Sequence, residues 1–560
     1  MMRTDFPCLE SRFLILRQNR IIDYGNLEMT EKNKVYEIEI TAISSDGNGI
    51  GRLDGMAVFV PYTAVGDIVR ARIVKLKKSY AAACAEEIIK PSKYRKEAEC
   101  SVYEHCGGCR LMHMEYEAQL EAKRNSIESA LERIGGFKGF RLEKMNGMED
   151  PFHYRNKAVF HVSGQGNNTV CGFYAAKSHE NIPAQDCVIC SEINPKIIDA
   201  IREYIKKYNL DAKSKGNGGI EQIFTRTAFN TGETMVVISI GKAGVPDKEE
   251  LVDMIRNAEN SVLSVILDNG KERTVFGSNV ITDYIGGIKF EISADSFFQV
   301  NPVMTQRLYK TAIEYAAVDR DTSIMDIYCG IGTISLCAAK KAKRVIGIEA
   351  VGQAVEDARK NALANGICNA EFYAGRAEDI VPELIKSGER PDVVILDPPR
   401  KGSDTATLDA IVEAAPERVV YVSCDPATLA RDMKYLRKNG YVPKKAQGFD
   451  MFPHTVHVET VVLLSKGEID SKKIRVEFSL EDMDTSGFQQ GATYEQIKGR
   501  VLEQTGLKVS SLYISQIKRK CGLEVGQSYN LSKKENAKQP QCPPEKEKAI
   551  REAMKYFGMI

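Results

Sequence analysis

A cysteine stands where a buried strand gives way to a helix in "VVYVSCDPATLARD", residues 419–432, with Cys424 directly before an acid and a proline. As a thiolate, a cysteine in that place can add to an electron-poor carbon and hold a substrate covalently while a second bond forms. A lone cysteine at a strand end is more often a small apolar filler. The balance shifts because "VVILDPPRKG" ends another strand with Asp397, ahead of two prolines that turn the backbone away from helix. Ligands of open α/β sheets bind outside the carboxyl ends of the strands. A thiol and a carboxylate at neighbouring strand mouths therefore describe a reaction rather than a packing choice.

A third strand end carries a ligand signal. "DIYCGIGTIS", residues 326–335, puts Gly330 and Gly332 at a strand-to-helix turn, where backbone must pass close to a bound molecule. The next strand ends in "VIGIEA", and Glu349 is placed there to accept both hydroxyls of a ribose. The run lacks the third glycine of the dinucleotide fingerprint and has no Walker lysine, so a nucleoside without a phosphate, such as S-adenosylmethionine, suits it better. A separate cluster is written in "CSVYEHCGGC", which groups Cys100, Cys106 and Cys109, with Cys187 following in "SHENIPAQDCVIC". Three thiols so close are hard to explain as core packing, and the paired glycines leave room for backbone to fold around a metal. Four thiolates suit either a [4Fe-4S] cluster or tetrahedral zinc, ahead of a redox C-x-x-C pair, and Cys190 competes with Cys187 for the fourth place.

These residues need elements to hold them. The chain has 560 residues, 43% of them apolar, enough for about three to five domains. Lys and Arg number 77 against 76 Asp and Glu, so any nucleic-acid partner must be met by a local patch. No apolar run is long enough for a signal peptide or a membrane span, which places the protein in the cytoplasm, and 14 cysteines are too few for a disulfide scaffold. Residues 1–30 read as a disordered extension. From 31 to 92, short alternating strands between glycine turns predict a small closed β-barrel. Residues 93–290 form a mixed α+β block that holds the cysteine cluster. From 291 to 466, strands and helices alternate, which predicts a doubly wound parallel sheet and an α/β multidomain protein overall. Residues 467–560 read as a helical appendix with a disordered "NLSKKENAKQPQCPPEKE" segment. Its "TYEQIKGRVLEQTGLKVSSLYISQIKRK" predicts two short amphipathic helices that bury Ile497, Val501, Leu512 and Ile517. That layout is either a helix-turn-helix, with Lys518, Arg519 and Lys520 toward nucleic acid, or a solvated cap.

Read in order, "SADSFFQVN", "DIYCGIG", "DPPRKG", "SCDPATLARD" and "DMFPHTVHVE" resemble the S-adenosylmethionine-dependent RNA uracil-5-methyltransferases. The likeness extends from about residue 31 to 466 and is closest to the ribosomal-RNA members that carry an iron–sulfur cluster. It implies that Cys424 is the nucleophile and Glu459 the proton-abstracting base. Gln299, Tyr328, Gly330, Glu349 and Asp397 fall at positions around the methyl donor, and Phe297 at an aromatic near the target base. Family members with the same C-x5-C-G-G-C spacing hold a [4Fe-4S] cluster, so the resemblance favours iron–sulfur on Cys100, Cys106, Cys109 and Cys187. The chemistry is consistent: carbon 5 of uracil is too weak a nucleophile to take a methyl group until a thiolate has added at carbon 6. Residues 31–92 resemble a TRAM domain, an oligonucleotide-binding-like barrel, on which Arg70, Arg72, Lys75, Lys77 and Lys78 make a basic stripe for phosphates. Arg155 and Lys157 are expected to line the same RNA groove. The implied partner is RNA, most readily 23S ribosomal RNA, with transfer RNA as the alternative, and the expected state is a monomer. A reading of another class is a non-catalytic RNA-binding protein with a vestigial sheet.

Overall fold

The computed structural model describes residues 30–212, 219–467, 494–523, 541–557 and 559–560. The expected extension over 1–30 lies outside them except for Thr30. The chain divides into two compact units at residue 470.

The first unit begins with six strands, Val35–Glu39, Ala42–Ile43, Gly49–Leu53, Met56–Val60, Ile68–Leu76 and Tyr80–Lys90, in one sheet ordered first, fifth, sixth, fourth, third, second. Alternation dictates its faces: Val69, Ala71 and Ile73 point into a core with Ile38, Val58 and Ala83, while Arg70 and Arg72 point out. The sheet curls until the first and third strands approach at Ile38 and Gly51, and the Thr41 amide, just before the second strand, donates to the Ile50 carbonyl at 2.8 Å. Gly51 permits this closure, since a Cβ there would overlap Ile38.

The central block forms a seven-stranded sheet that runs in space from Arg273–Gly277 to Asn181–Pro183, with Lys157–Ser163, Ile220–Thr227 and Thr234–Ile240 in its interior. Helices Asn194–Lys207 and Lys248–Ala258 cover it, burying Ile197, Ile201, Leu251 and Ile255 against Phe160, Ile223 and Val236. Not everything between 93 and 290 belongs here. Helix Tyr116–Arg133 and the segment after it bury Ile127, Leu131, Phe137 and Leu142 against Ile327, Leu396 and Tyr421 of the next sheet. The compositional division could not see this, because an amphipathic helix does not record which sheet its apolar face meets.

That next sheet orders Ala370–Ala374, Arg344–Glu349, Ser323–Ile327, Val393–Leu396, Arg418–Ser423, Glu459–Lys466 and Tyr441–Phe449. The first five are parallel, and Val393–Leu396 is buried at every residue, as a strand covered on both faces requires. Strand order reverses between Ser323–Ile327 and Val393–Leu396, opening a crevice at their carboxyl ends. The last two strands depart from the expected parallel pattern. Residues 450–458 form a hairpin loop rather than a crossover helix, so Glu459–Lys466 returns antiparallel to both neighbours.

In the second unit, helices Tyr494–Thr505, Ser511–Lys520 and Pro544–Tyr556 share a core of Ile497, Val501, Ile514, Ile517, Ile550 and Met554. Two expectations are corrected. Leu512 is 37% exposed, because the helix starts at Ser511 and turns Ile514 and Ile517 inward instead. The segment expected to be disordered ends in helix from Pro544, where proline suits the first turn and Ala549, Ile550 and Ala553 supply a buried face; its residues 530–540 lie outside the described ones. Among the described residues no helix is long and apolar enough to cross a membrane.

Candidate active site

Cys424 follows the last residue of strand Arg418–Ser423 and precedes the cap of helix Pro426–Lys438. The Asp425 carboxylate accepts the Ala427 and Thr428 amides at 3.0 and 2.8 Å, and the Ser423 hydroxyl donates to the Asp425 carbonyl at 3.0 Å. Capping acid, N1 proline and serine together fix the backbone on both sides of the thiol. The antiparallel pairing then matters: Ser423 lies opposite Thr460, so Glu459 enters the sheet where Cys424 leaves it. Glu459 is 4% exposed, and its Oε2 has no hydrogen-bond partner.

Burial, and then the neighbouring charge of Asp397, holds the Glu459 carboxyl well above the usual range. Burial also raises Asp397, to about 7. The Cys424 thiol is pushed up to about 12 by burial, then by Glu459 and Asp397, with Arg400 and a backbone hydrogen bond opposing. In the mouth they share, Glu459 and Asp397 thus disfavour the Cys424 thiolate, and Asp397 disfavours the charge on Glu459. Arg400 was not singled out in the sequence although it stands in the quoted "DPPRKG"; its Nη2 lies 3.5 Å from His457 Nε2.

The crevice beside this mouth is shaped by strain and by fixed carboxylates. Tyr328 has φ 71°, an uncommon conformation for a bulky residue, held by two amides, its own and that of Cys329, that donate to the Ile348 carbonyl at 2.9 and 3.0 Å. Gly330, at φ 57°, has nothing within 4 Å of where a Cβ would stand, so the turn leaves open space. The Gly330 amide donates to Glu349 Oε2 at 3.1 Å and the Val351 amide to Oε1 at 2.8 Å, which orients a carboxylate that keeps acceptor sites for hydroxyls. Beneath it Asp326 is fully buried, accepts the Ser335 hydroxyl at 2.5 Å and is raised to about 7 by burial. Gln299 is buried and tied to the central sheet, its carbonyl accepting Asn156 Nδ2 at 3.0 Å. On the same turn Phe297 is 69% exposed, whereas its neighbour Phe298 is core.

A second site lies in the central block. Cys100, Cys106, Cys109 and Cys187 line one cavity of about 480 Å³, and none is in a disulfide. Buried Cys190 lines it too and hydrogen-bonds Cys187, whose thiol is lowered by that bond. Among the described residues, no three His, Cys, Asp or Glu side chains are drawn together tightly enough to share one metal ion. The lining is rich in soft sulfur donors, with five thiols beside Glu99 and Asp186 in a mostly apolar space, a composition that suits a thiolate-loving metal or cluster. Arg155 and Lys157 are among the residues that line this cavity. On the barrel, Arg70 and Arg72 pair with Glu87 and Glu86, and Lys75, Lys77 and Lys78 stand exposed beyond those pairs.

Residues 115–467 match the family described as tRNA (Uracil-5-)-methyltransferase, and residues 30–85 match the TRAM domain. An RNA methyltransferase of Clostridium tetani is 41% identical over 447 residues, spanning 78% of this chain and 97% of its own length. One of Clostridium acetobutylicum is 43% identical over 451 residues, spanning 78% of this chain and 98% of its own length. Among solved structures, the Pyrococcus abyssi tRNA (uracil-54, C5)-methyltransferase in complex with S-adenosyl-L-homocysteine aligns with a TM-score of 0.62 at 26% identity, over 77% of this chain and 100% of its own. The chain belongs to the tRNA (uracil-5-)-methyltransferase family of S-adenosylmethionine-dependent RNA methyltransferases, with a TRAM domain at its amino-terminal side.

Proposed function

We propose that the protein methylates carbon 5 of a uridine in RNA through a covalent bond between Cys424 and carbon 6. The observation that carries this reading is the buried Glu459 oxygen without a partner, in the same strand mouth as a thiol and Asp397. S-adenosylmethionine supplies an electrophilic methyl group on a sulfonium, and Gln299, Tyr328, Gly330, Glu349 and Asp397 would hold it. Phe297, exposed beside that crevice, stacks on the target base, which must leave its helix to be reached. Cys424 gives up its proton to solvent, its thiolate adds to carbon 6, and the electron pair of the double bond becomes available at carbon 5. Once carbon 5 bears the methyl group, Glu459 takes its proton; the carbon–sulfur bond then breaks as the ring double bond re-forms.

Cys100, Cys106, Cys109 and Cys187 would hold a [4Fe-4S] cluster that braces the central block, with zinc as the alternative occupant. This reading, together with the likeness to cluster-bearing enzymes, favours 23S ribosomal RNA as substrate. The similarity to the Pyrococcus abyssi enzyme supports the transfer-RNA alternative. Lys75, Lys77 and Lys78 at the rim of the barrel would track phosphates. Incubation with 5-fluorouridine RNA and methyl donor tests the chemistry, since fluorine at carbon 5 cannot leave as a proton. A stalled adduct on Cys424, absent from Cys424→Ala, is expected, and its failure to form defeats the proposal. Mapping 5-methyluridine in total RNA with and without the gene identifies the substrate. Iron, sulfide and zinc analysis of the protein and of Cys106→Ala identifies what the thiols bind.

A further inference from the structure

The loop that delivers Glu459 has no regular structure of its own. It spans residues 450–458 and closes the hairpin in which Phe449 faces Glu459, and its His454 takes φ 66°. Thr455 bonds the Phe452 carbonyl in a turn within the loop, and the rest of the shape is imposed from outside. On helix Tyr116–Arg133, Lys123 has a side chain only 1% exposed, and its Nζ donates to Asp450 Oδ1 at 2.5 Å and to the Phe452 carbonyl at 3.0 Å. One turn earlier, buried Gln119 accepts the His454 amide at 3.1 Å and sets its Nε2 3.3 Å from His454 Nδ1. The Arg110 and Leu111 amides, directly after Cys109, both donate to the His454 carbonyl at 2.9 Å, and the Tyr154 hydroxyl donates to the Pro453 carbonyl at 3.0 Å.

A helix that buries a lysine and a glutamine on the face it turns to the sheet gains little stability from them, because desolvation offsets most of the attraction of a buried ion pair. What such groups supply is a unique geometry. We propose that Gln119 and Lys123 are positioning residues for the proton-abstracting step: they lock residues 450–458 so that the Glu459 carboxylate enters the mouth beside Cys424 at the height of carbon 5. The proposal rests on the reading of Glu459 as the base. It separates two stages of one reaction. Addition of Cys424 and methyl transfer draw on strand ends to which Gln119 and Lys123 make no hydrogen bond. Release requires that the carbon 5 proton pass to Glu459 while the carbon 6–sulfur pair returns to sulfur, and this depends on the clamped loop.

The full-length protein is assayed with RNA containing ordinary uridine, as wild type, Glu459→Gln, Gln119→Leu, Lys123→Met, and the double variant Lys123→Met/Asp450→Asn, which leaves no lone buried charge and so preserves folding. In the clamp variants kcat falls about ten- to hundredfold, the range for a reacting group displaced by about 1 Å. KM for RNA and affinity for the methyl donor stay within about twofold, and methylated RNA accumulates on Cys424 in denaturing gels as it does in Glu459→Gln. If Glu459→Gln traps this adduct while Gln119→Leu and the double variant turn over without it, the positioning role is refuted and the base survives. If the clamp variants lose only RNA affinity, the positioning role is likewise refuted. If Glu459→Gln traps nothing, the assignment of the base falls, and the clamp's role in proton removal falls with it.

Discussion

The thiol at position 424 is held almost wholly protonated in the free protein, and this can be measured directly. Burial and the Glu459 and Asp397 carboxyls push it to about 12, against about 8.5 for a free cysteine. At pH 7.5 the thiolate fraction is therefore lower by roughly three orders of magnitude. The more basic thiolate is intrinsically more nucleophilic, with a Brønsted slope of about 0.4 to 0.5, which returns about one and a half of those orders. Iodoacetamide should consequently label Cys424 on the order of 50-fold more slowly than an ordinary thiol. Peptide mass spectrometry from pH 7 to 10 reads the rate, with exposed Cys368 as the reference within the chain. The Cys424 rate should climb about tenfold per pH unit with no plateau in that range, and Asp397→Asn should raise it throughout by removing a carboxylate that repels the thiolate. On the proposed reading, bound S-adenosylmethionine would bring a sulfonium cation to this mouth; a unit charge at about 6 Å in an effective dielectric of about 20 is worth about 3 kcal/mol, or about two pKa units. It should accelerate labelling where the neutral S-adenosylhomocysteine does not. A plateau below pH 9 in the unliganded protein, or equal labelling with both ligands, would show that burial and the two carboxyls do not govern this thiol.

Other expectations follow from the same geometry. Gly330→Val places a β-branched residue at φ 57° and fills the open side of the turn, so donor affinity measured by calorimetry should fall more than tenfold while thermal stability drops by only about 1 to 2 kcal/mol. Burial raises Asp326 to about 7, so its contribution to stability is fully present below about pH 4 and is lost as pH climbs through 7. The melting temperature of the unliganded protein should decline from pH 5 to 8, and Asp326→Asn should flatten that decline. A chain ending at residue 467 should keep the methylation rate of the full protein on a short RNA, because the helices from Tyr494 onward are built on a core of their own. Loss of turnover in that truncation, with folding intact by circular dichroism, would show that the appended unit takes part in catalysis.

The sequence by itself determined which chemistry-bearing side chains stand at the strand mouths. Glu349, Asp397 and Cys424 each end or directly follow a strand rich in β-branched residues, Gly330 lies in the turn after another strand, and in a parallel sheet such ends converge because every strand points the same way. Those signals are local, written within a few residues of the strands that present them. Only the tertiary structure decided that Glu459 joins Cys424, since that depends on a strand returning antiparallel in one register. It alone sent helix Tyr116–Arg133 to the methyltransferase sheet, paired Lys123 with Asp450 across 327 positions, and turned Arg155 and Lys157 to the cysteine cavity. An amphipathic pattern states that a face is buried but not against what, and a lysine between apolar neighbours is indistinguishable from a solvated one until its partner is packed beside it.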